Sequence, residues 1–172
     1  MDTSRRPIIT YSNTGKNLLH GKPPLKLLKL LKLFQPLNTL LLIDAYAMIY
    51  RAYYAFIRTP RMNSRGENTS AIFGFVVTLE DLIKRVKPTH MAVAFDPAGP
   101  TFRHEAYEQY KAQRQETPED IRWAVPRIKQ LLEAMNIPVL DVPGYEADDV
   151  IGTLAHKAEK DGFEVYMATP DK

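Results

Sequence analysis

Acidic side chains stand at the ends of short hydrophobic runs in the sequence. Residues 40–43 lead into Asp44, residues 91–95 lead into Asp96, and residues 165–168 lead through Thr169 and Pro170 into Asp171. Runs of this kind are typical of buried strands in a parallel sheet. Because the functional crevice of such sheets lies beyond the carboxyl ends of the strands, we expect the three carboxylates at one edge.

A second acidic group, Glu146, Asp148 and Asp149, lies at the start of a predicted helix. At the same sheet edge it would complete a pocket of six carboxylates. These groups cannot all stay ionised unless a hard cation neutralises them or their pKa values rise. The oxygen ligands, in a chain without cysteine, favour Mg²⁺ or Mn²⁺. Two such ions roughly 4 Å apart can hold a phosphodiester, activate a water and stabilise the departing oxygen.

Each acid also has a simpler interpretation. An Asp after a strand often caps the next helix, and acids in a first helical turn complement the helix dipole. For any single residue we favour that structural role. The combination of three strand-end aspartates with an acidic first turn in one small domain favours a metal site.

The elements that must position these acids alternate along the chain. A fourth candidate strand, residues 137–140, ends at Asp141. Apolar residues spaced by three and four predict a helix that begins after a cap at Thr69 or Ser70 and runs to Val86. A second predicted helix starts at Thr117 and Pro118 and runs to about Met135. A third begins around Glu146. This alternation predicts an α/β fold, a mostly parallel sheet flanked by helices.

Charge divides the chain at about residue 38. Residues 1–38 carry seven Lys/Arg and one acid, which leaves sixteen basic and nineteen acidic residues in 39–172. We expect 1–38 to be a disordered basic leader, in which the Leu/Lys segment 25–34 is either an accessory tail or a short amphipathic helix for a membrane or partner. Without a long apolar run or a signal sequence, we expect a cytoplasmic protein and no membrane insertion.

The motifs in 39–172 resemble the 5′-nuclease domain of bacterial DNA polymerase I and its flap endonuclease relatives. The resemblance runs from about Leu40 to the end, and its order and spacing are specific. The motifs are residues 42–44 with 50–56, Phe95-Asp96 with 101–103, Tyr110-Lys111 with Arg114, residues 146–155, and residues 169–172. The resemblance implies a resolvase-like, PIN-like fold.

The resemblance also implies an activity: a two-metal hydrolase, associated with the nucleoid, that trims DNA from a free 5′ end and cuts 5′ flaps. Its catalytic and metal-ligand positions would be Asp44, Asp96, Glu146, Asp148, Asp149 and Asp171. One ion would lie near Asp96, Glu146 and Asp148 and the other near Asp149 and Asp171, with Asp44 acting directly or through water.

DNA contacts are expected from two groups of cationic and aromatic residues. Arg103, Tyr110, Lys111 and Arg114 fall where similar proteins carry a helical arch for the 5′ strand, and cations there can steer the scissile phosphate. Arg51 begins a stretch with Arg58, Arg61 and Arg65 that has no acid up to Gly66, and phosphates of a bent duplex are plausible partners. The alternative for both groups is a solvated surface.

The chain is expected to be the N-terminal part of such a domain, incomplete at its C-terminus. The family carries a further metal-ligand aspartate two positions beyond the one matched by Asp171, and the sequence ends at Lys172. The polymerase part would also be missing, so we expect impaired activity. Two other functions stay open: a PIN-type metal-dependent ribonuclease, and a non-catalytic DNA-binding module that holds a cation structurally.

Overall fold

The computed structural model describes residues 38–103, 107 and 116–169. In chain order the main elements are β1 (Thr39–Asp44), α1 (Ala45–Ala55), α2 (Ser70–Val86), β2 (His90–Phe95), α3 (Glu119–Ala134), β3 (Val139–Asp141), α4 (Ala147–Lys160) and β4 (Glu164–Ala168). The expected basic leader and its Leu/Lys segment lie outside these residues, as does Asp171.

The four strands form one parallel sheet in the order β3-β2-β1-β4. From β1 the chain moves outward through β2 to β3, then crosses back to place β4 on the other side of β1. The direction of winding therefore reverses beside β1. In open α/β sheets the crevice at such a reversal, beyond the carboxyl ends of the strands, is the usual binding site.

Helices cover both faces of the sheet, which explains why β1 is apolar without alternation. Leu41 and Ile43 lie in one buried cluster, together with apolar residues of α1, α2 and α3. Leu42 faces the opposite way, into a second cluster with Ile151 and Ala155 of α4. A strand buried on both faces excludes polar residues until it ends, so the first polar side chain after Thr39 is Asp44.

The predicted α/β class is confirmed, as are the four strands and the three predicted helices, with differences at their ends. The third strand starts at Val139, two residues later than expected. Thr117 does not cap α3, because Pro118 holds the N-cap position and the Thr117 hydroxyl accepts a hydrogen bond from Tyr50. Helix α1 was not anticipated. Its buried residues fall at helical spacings of three and four, but four tyrosines at the other positions obscure that pattern.

Across the described ranges, none of the helices has the length and apolar character needed to cross a membrane.

Helices α1 and α2 pack tightly at Gly74, which is buried against Ala52. A Cβ at Gly74 would lie 2.7 Å from the Ala52 Cβ and 3.3 Å from Phe56 Cε2. Helix α1 begins directly after Asp44. Its packing against α2 therefore helps to hold Asp44 at the sheet edge.

Replacing Gly74 with Ala should lower the free energy of unfolding by about 1–3 kcal/mol, because the added methyl group overpacks the contact. Chemical denaturation measures the change. The matched control is Gly152→Ala in α4, where a Cβ meets no atom within 4 Å. That substitution should raise stability by about 0.5–1 kcal/mol. Equal effects of the two substitutions would contradict the packing described here.

Candidate active site at the carboxyl edge of the sheet

Asp44 ends β1 and caps α1 at the same time. Its Oδ1 accepts a hydrogen bond from the Ala47 backbone N–H at 3.0 Å, and the residue is only 9% exposed. Burial raises the pKa of the Asp44 carboxyl, and the negative charges of Asp148 and Asp96 raise it further. Three acids from three separate elements therefore lie within electrostatic reach of one another.

Asp96 follows β2 and joins that strand to α4. Its Oδ1 accepts a hydrogen bond from the backbone N–H of Ala147, the first residue of α4, at 2.8 Å across 51 positions of sequence. The first turn of α4 has backbone N–H groups without partners inside the helix. Asp96 satisfies one of them and thereby brings the acidic first turn to the edge formed by β1 and β2.

A tight turn before α4 sets the direction in which its acids point. The Tyr145 N–H donates to the Val142 carbonyl at 3.2 Å, and Gly144 between them has φ +84°. Proline at the second position and glycine at the third suit a type II turn, which requires positive φ at the third position. Glu146 and Asp149 then form a capping box at the helix start, with the Glu146 N–H donating to Asp149 Oδ2 at 3.1 Å.

Arg103 occupies one side of this acidic turn. Its Nη1 and Nη2 atoms donate to the two carboxylate oxygens of Asp149, each at 2.6 Å. Nη1 also lies 3.5 Å from Glu146 Oε2. The preceding residue is anchored independently, since the Phe102 N–H donates to the Gly144 carbonyl at 3.0 Å and the Phe102 ring contacts the Tyr145 ring at 5.7 Å between centroids.

The structure describes five of the six predicted site acids, and these five fall into two groups. Glu146 and Asp149 face the Arg103 guanidinium. Asp44, Asp96 and Asp148 have no Lys or Arg within salt-bridge distance in the ranges that the structure covers. No three acidic or histidine side chains among the described residues form a ready-made ion site. The donor set nevertheless suits a hard divalent ion, because every donor is a carboxylate and three of them are uncompensated.

A further acid at this edge, Asp141, is excluded from the uncompensated group by an ion pair. It ends β3, and its Oδ2 accepts a hydrogen bond from Lys129 of α3 at 2.7 Å. The Lys129 ammonium also lies over the Phe95 ring, 4.7 Å from its centroid. Nothing local in the sequence signals this pair, because the two residues belong to different elements.

Tyr46 was not predicted as a site residue, yet it lies beside the acids. Its ring packs edge-on against Phe95 with centroids 6.0 Å apart. Burial raises the pKa of the Tyr46 hydroxyl, followed by the negative charge of Asp96 and smaller contributions from Tyr50 and Asp141. Its position two residues after Asp44 was the available signal.

The predicted DNA-contact residues are only partly described. Arg51 is exposed on α1, seven residues and therefore about 10 Å along the helix from Asp44. Arg103 lies at the acidic turn, as given above. Tyr110, Lys111 and Arg114 lie outside the described residues.

Comparison with known sequences identifies relatives for most of the chain. The sequence profile of the N-terminal, resolvase-like domain of 5′-3′ exonucleases matches residues 39–172. DNA polymerase I of Bacillus caldotenax is 44% identical over 134 residues, which cover 77% of this chain and 15% of that protein. DNA polymerase I of Deinococcus radiodurans is 47% identical over 135 residues, covering 78% and 14%. The chain therefore spans about one seventh of these relatives' length.

Comparison with solved structures confirms the fold. A structure of the bacteriophage T5 5′-exonuclease with bound divalent zinc ions superposes with a TM-score of 0.61 at 19% identity, covering 77% of this chain and 49% of that one. A complex of the T5 flap endonuclease with DNA and metal ions gives a TM-score of 0.51 at 21% identity, covering 77% and 49%.

The raised pKa of Asp44 predicts a pH-dependent cost in the metal-free protein. Because the folded pKa lies above the unfolded value of about 3.9, the Asp44 contribution to stability is lost as the pH rises from about 3.9 through the folded pKa, and the loss stays constant at higher pH. Asp44→Asn keeps an oxygen that can accept from Ala47 and removes the charge. In EDTA at neutral pH this variant should melt at a higher temperature than the wild type, and the difference should vanish below about pH 4.

The matched control is Asp141→Asn, which removes a carboxylate from the same edge but breaks the pair with Lys129. It should melt at the wild-type temperature or below. If Asp44→Asn melts no higher than the wild type at neutral pH in EDTA, the cost assigned to ionised Asp44, from its burial and from repulsion by Asp148 and Asp96, is refuted.

Proposed function

The chain belongs to the family of 5′-3′ exonuclease N-terminal, resolvase-like domains, and from that premise we propose that it forms the metal-binding part of a nuclease for DNA with a free 5′ end or a 5′ flap. The proposed reaction is hydrolysis of a phosphodiester bond during DNA replication and repair. We propose that it is joined in one polypeptide to a polymerase part, because the relatives that it matches are DNA polymerases I.

The observation that carries this proposal is the group of Asp44, Asp96 and Asp148. Asp44 ends β1, Asp96 follows β2 and Asp148 lies in α4. The charges of Asp148 and Asp96 add to burial in raising the pKa of Asp44. Asp148 accepts no hydrogen bond within the described residues, so capping does not account for its place near Asp44, and the helix dipole alone does not require an acid at that edge. Uncompensated charge at the sheet reversal favours a cation-binding role.

We propose Mg²⁺ or Mn²⁺ as the ions and these three acids as ligands, with Glu146, Asp149 and Asp171 completing the set. When bound, the ions supply charge neutralisation, a polarised water and stabilisation of the leaving oxygen. The protein's own contribution is rigid placement. Asp44 is fixed by Ala47 and Asp96 by Ala147, so each offers its oxygens in a direction that the backbone determines.

We propose further that cationic side chains hold the DNA around these acids. Arg51 is exposed on α1 and is close enough to the sheet edge to contact a phosphate a few nucleotides from the reacting one. Arg58 also has no acidic partner among the described residues, whereas Arg65 pairs with Glu67 and Arg61 lies over the rings of Phe56 and Phe73. Arg103, Tyr110, Lys111 and Arg114 are the proposed contacts to the 5′ strand.

The test is cleavage of a fluorescent 5′-flap DNA by the complete gene product, with Mg²⁺ or Mn²⁺ and with EDTA. Asp148→Asn should reduce the cleavage rate at least about 100-fold, as expected for loss of a carboxylate that holds a charge-stabilising ion, while flap binding measured by anisotropy persists. The control Asp161→Asn changes an exposed acid at the other end of α4 and should cleave at the wild-type rate.

Undiminished cleavage by Asp148→Asn would refute the metal assignment. Flap binding without cleavage at either ion would instead indicate a non-catalytic binding module. Cleavage of the matching RNA but not of the DNA would indicate a ribonuclease.

A further inference from the structure

We propose that Arg103 is a positioning residue that stands in for a divalent ion, holding Glu146 and Asp149 when no ion is bound and competing with an ion that arrives. This inference rests on the proposed function, since it concerns the same carboxylates. It goes beyond it by giving Arg103 a role before DNA is present.

The geometry of the contact is that of a specific pair. Two parallel hydrogen bonds of 2.6 Å join the guanidinium to Asp149, and the Arg103 side chain is only 31% exposed. Exposed single-contact ion pairs contribute little, because solvent screens them and ordering the side chains costs entropy. A bidentate, partly buried arginine pair is stronger and fixes the orientation of the carboxylate.

Glu146 is the more deeply buried of the two acids beside Arg103. It is 6% exposed, and a carboxylate removed from water is costly when nothing compensates its charge. The Arg103 Nη1 atom lies 3.5 Å from it. Removal of the guanidinium should therefore destabilise the metal-free protein at this turn.

Arg103 is held at this place by its neighbours. The Phe102 backbone is bonded to Gly144, and the guanidinium lies over the Phe102 ring, 4.8 Å from its centroid. The segment that carries Arg103 is thus attached to the same turn that starts α4. This arrangement keeps the guanidinium beside Glu146 and Asp149 while no ion occupies their oxygens.

The guanidinium and a divalent ion compete for the same carboxylates because both are positively charged. A divalent ion on the Asp149 or Glu146 oxygens would repel a guanidinium bonded to those same oxygens, so the two cations exclude each other there. A displaced guanidinium keeps a planar fork that suits a phosphate as well as it suits a carboxylate. Ion binding would in this way free Arg103 for the incoming DNA strand.

The test is Mn²⁺ binding, followed by electron paramagnetic resonance, in the full chain and its variants. Arg103→Gln should bind Mn²⁺ about five- to tenfold more tightly than the wild type, equivalent to roughly 1–1.4 kcal/mol. Arg103→Lys keeps the charge but loses the planar fork of the guanidinium. Its Mn²⁺ affinity should lie between those of the wild type and Arg103→Gln. The control Arg85→Gln removes an exposed Arg–Asp pair on α2 and should bind Mn²⁺ as the wild type does.

Thermal melting provides the second measurement. In EDTA, Arg103→Gln should melt below the wild type, and saturating Mn²⁺ should raise its melting temperature by more than it raises the wild-type value. If Arg103→Gln does not fold in EDTA, Arg103→Lys serves for the same comparison.

Mn²⁺ affinity that is unchanged or weaker in Arg103→Gln would overturn the inference. An Arg103→Lys variant with the Mn²⁺ affinity of the wild type would also overturn the inference. The change in Arg103→Gln would then come from long-range charge and not from displacement of the guanidinium. If the wild type itself binds no Mn²⁺, the proposed function fails and not this inference alone.

Discussion

Crowding of carboxylates at one sheet edge is the constraint on which the rest of the structure depends. Parallel strands deliver their last residues to the same edge, and here β1 and β2 end in or beside an aspartate while α4 begins with three acids in four residues. Burial raises the pKa of the Asp44 carboxyl and repulsion from Asp148 and Asp96 raises it further, so keeping Asp44 ionised costs stability. The fold tolerates that cost because backbone N–H groups and the Arg103 guanidinium hold the acids in fixed directions.

Structural and functional roles coexist in these acids. Asp44 caps α1 and Asp96 satisfies the first turn of α4, so the simpler interpretation of each residue is correct as far as it goes. Each of these bonds uses one carboxylate oxygen. The Asp44 carboxylate also accepts from the Tyr46 backbone, so backbone groups fix the direction of both side chains. Capping therefore orients the proposed metal ligands instead of competing with their function.

The described acids differ in how they are compensated, and this difference separates their roles. Asp141 is neutralised by Lys129, and Asp149 by Arg103. Asp44, Asp96 and Asp148 have no such neighbour in the described ranges. An arginine beside proposed ligands is a natural device in a site that must keep several negative charges together before an ion arrives, because its fork can also be transferred to a phosphate.

The sequence by itself determined the strands, most helices and the placement of acids at strand ends, because these depend on local periodicity: an apolar run buried on both faces must stop where a charge begins. Helix α1 escaped prediction because its tyrosines obscure the helical spacing of the residues that it buries. The pairing of Arg103 with Asp149, 46 positions away, and the loss of Asp141 to Lys129 were decided only by the tertiary structure. Both depend on the strand order β3-β2-β1-β4 and on how helices dock upon it, and no spacing along the chain encodes which distant charges that order brings into contact.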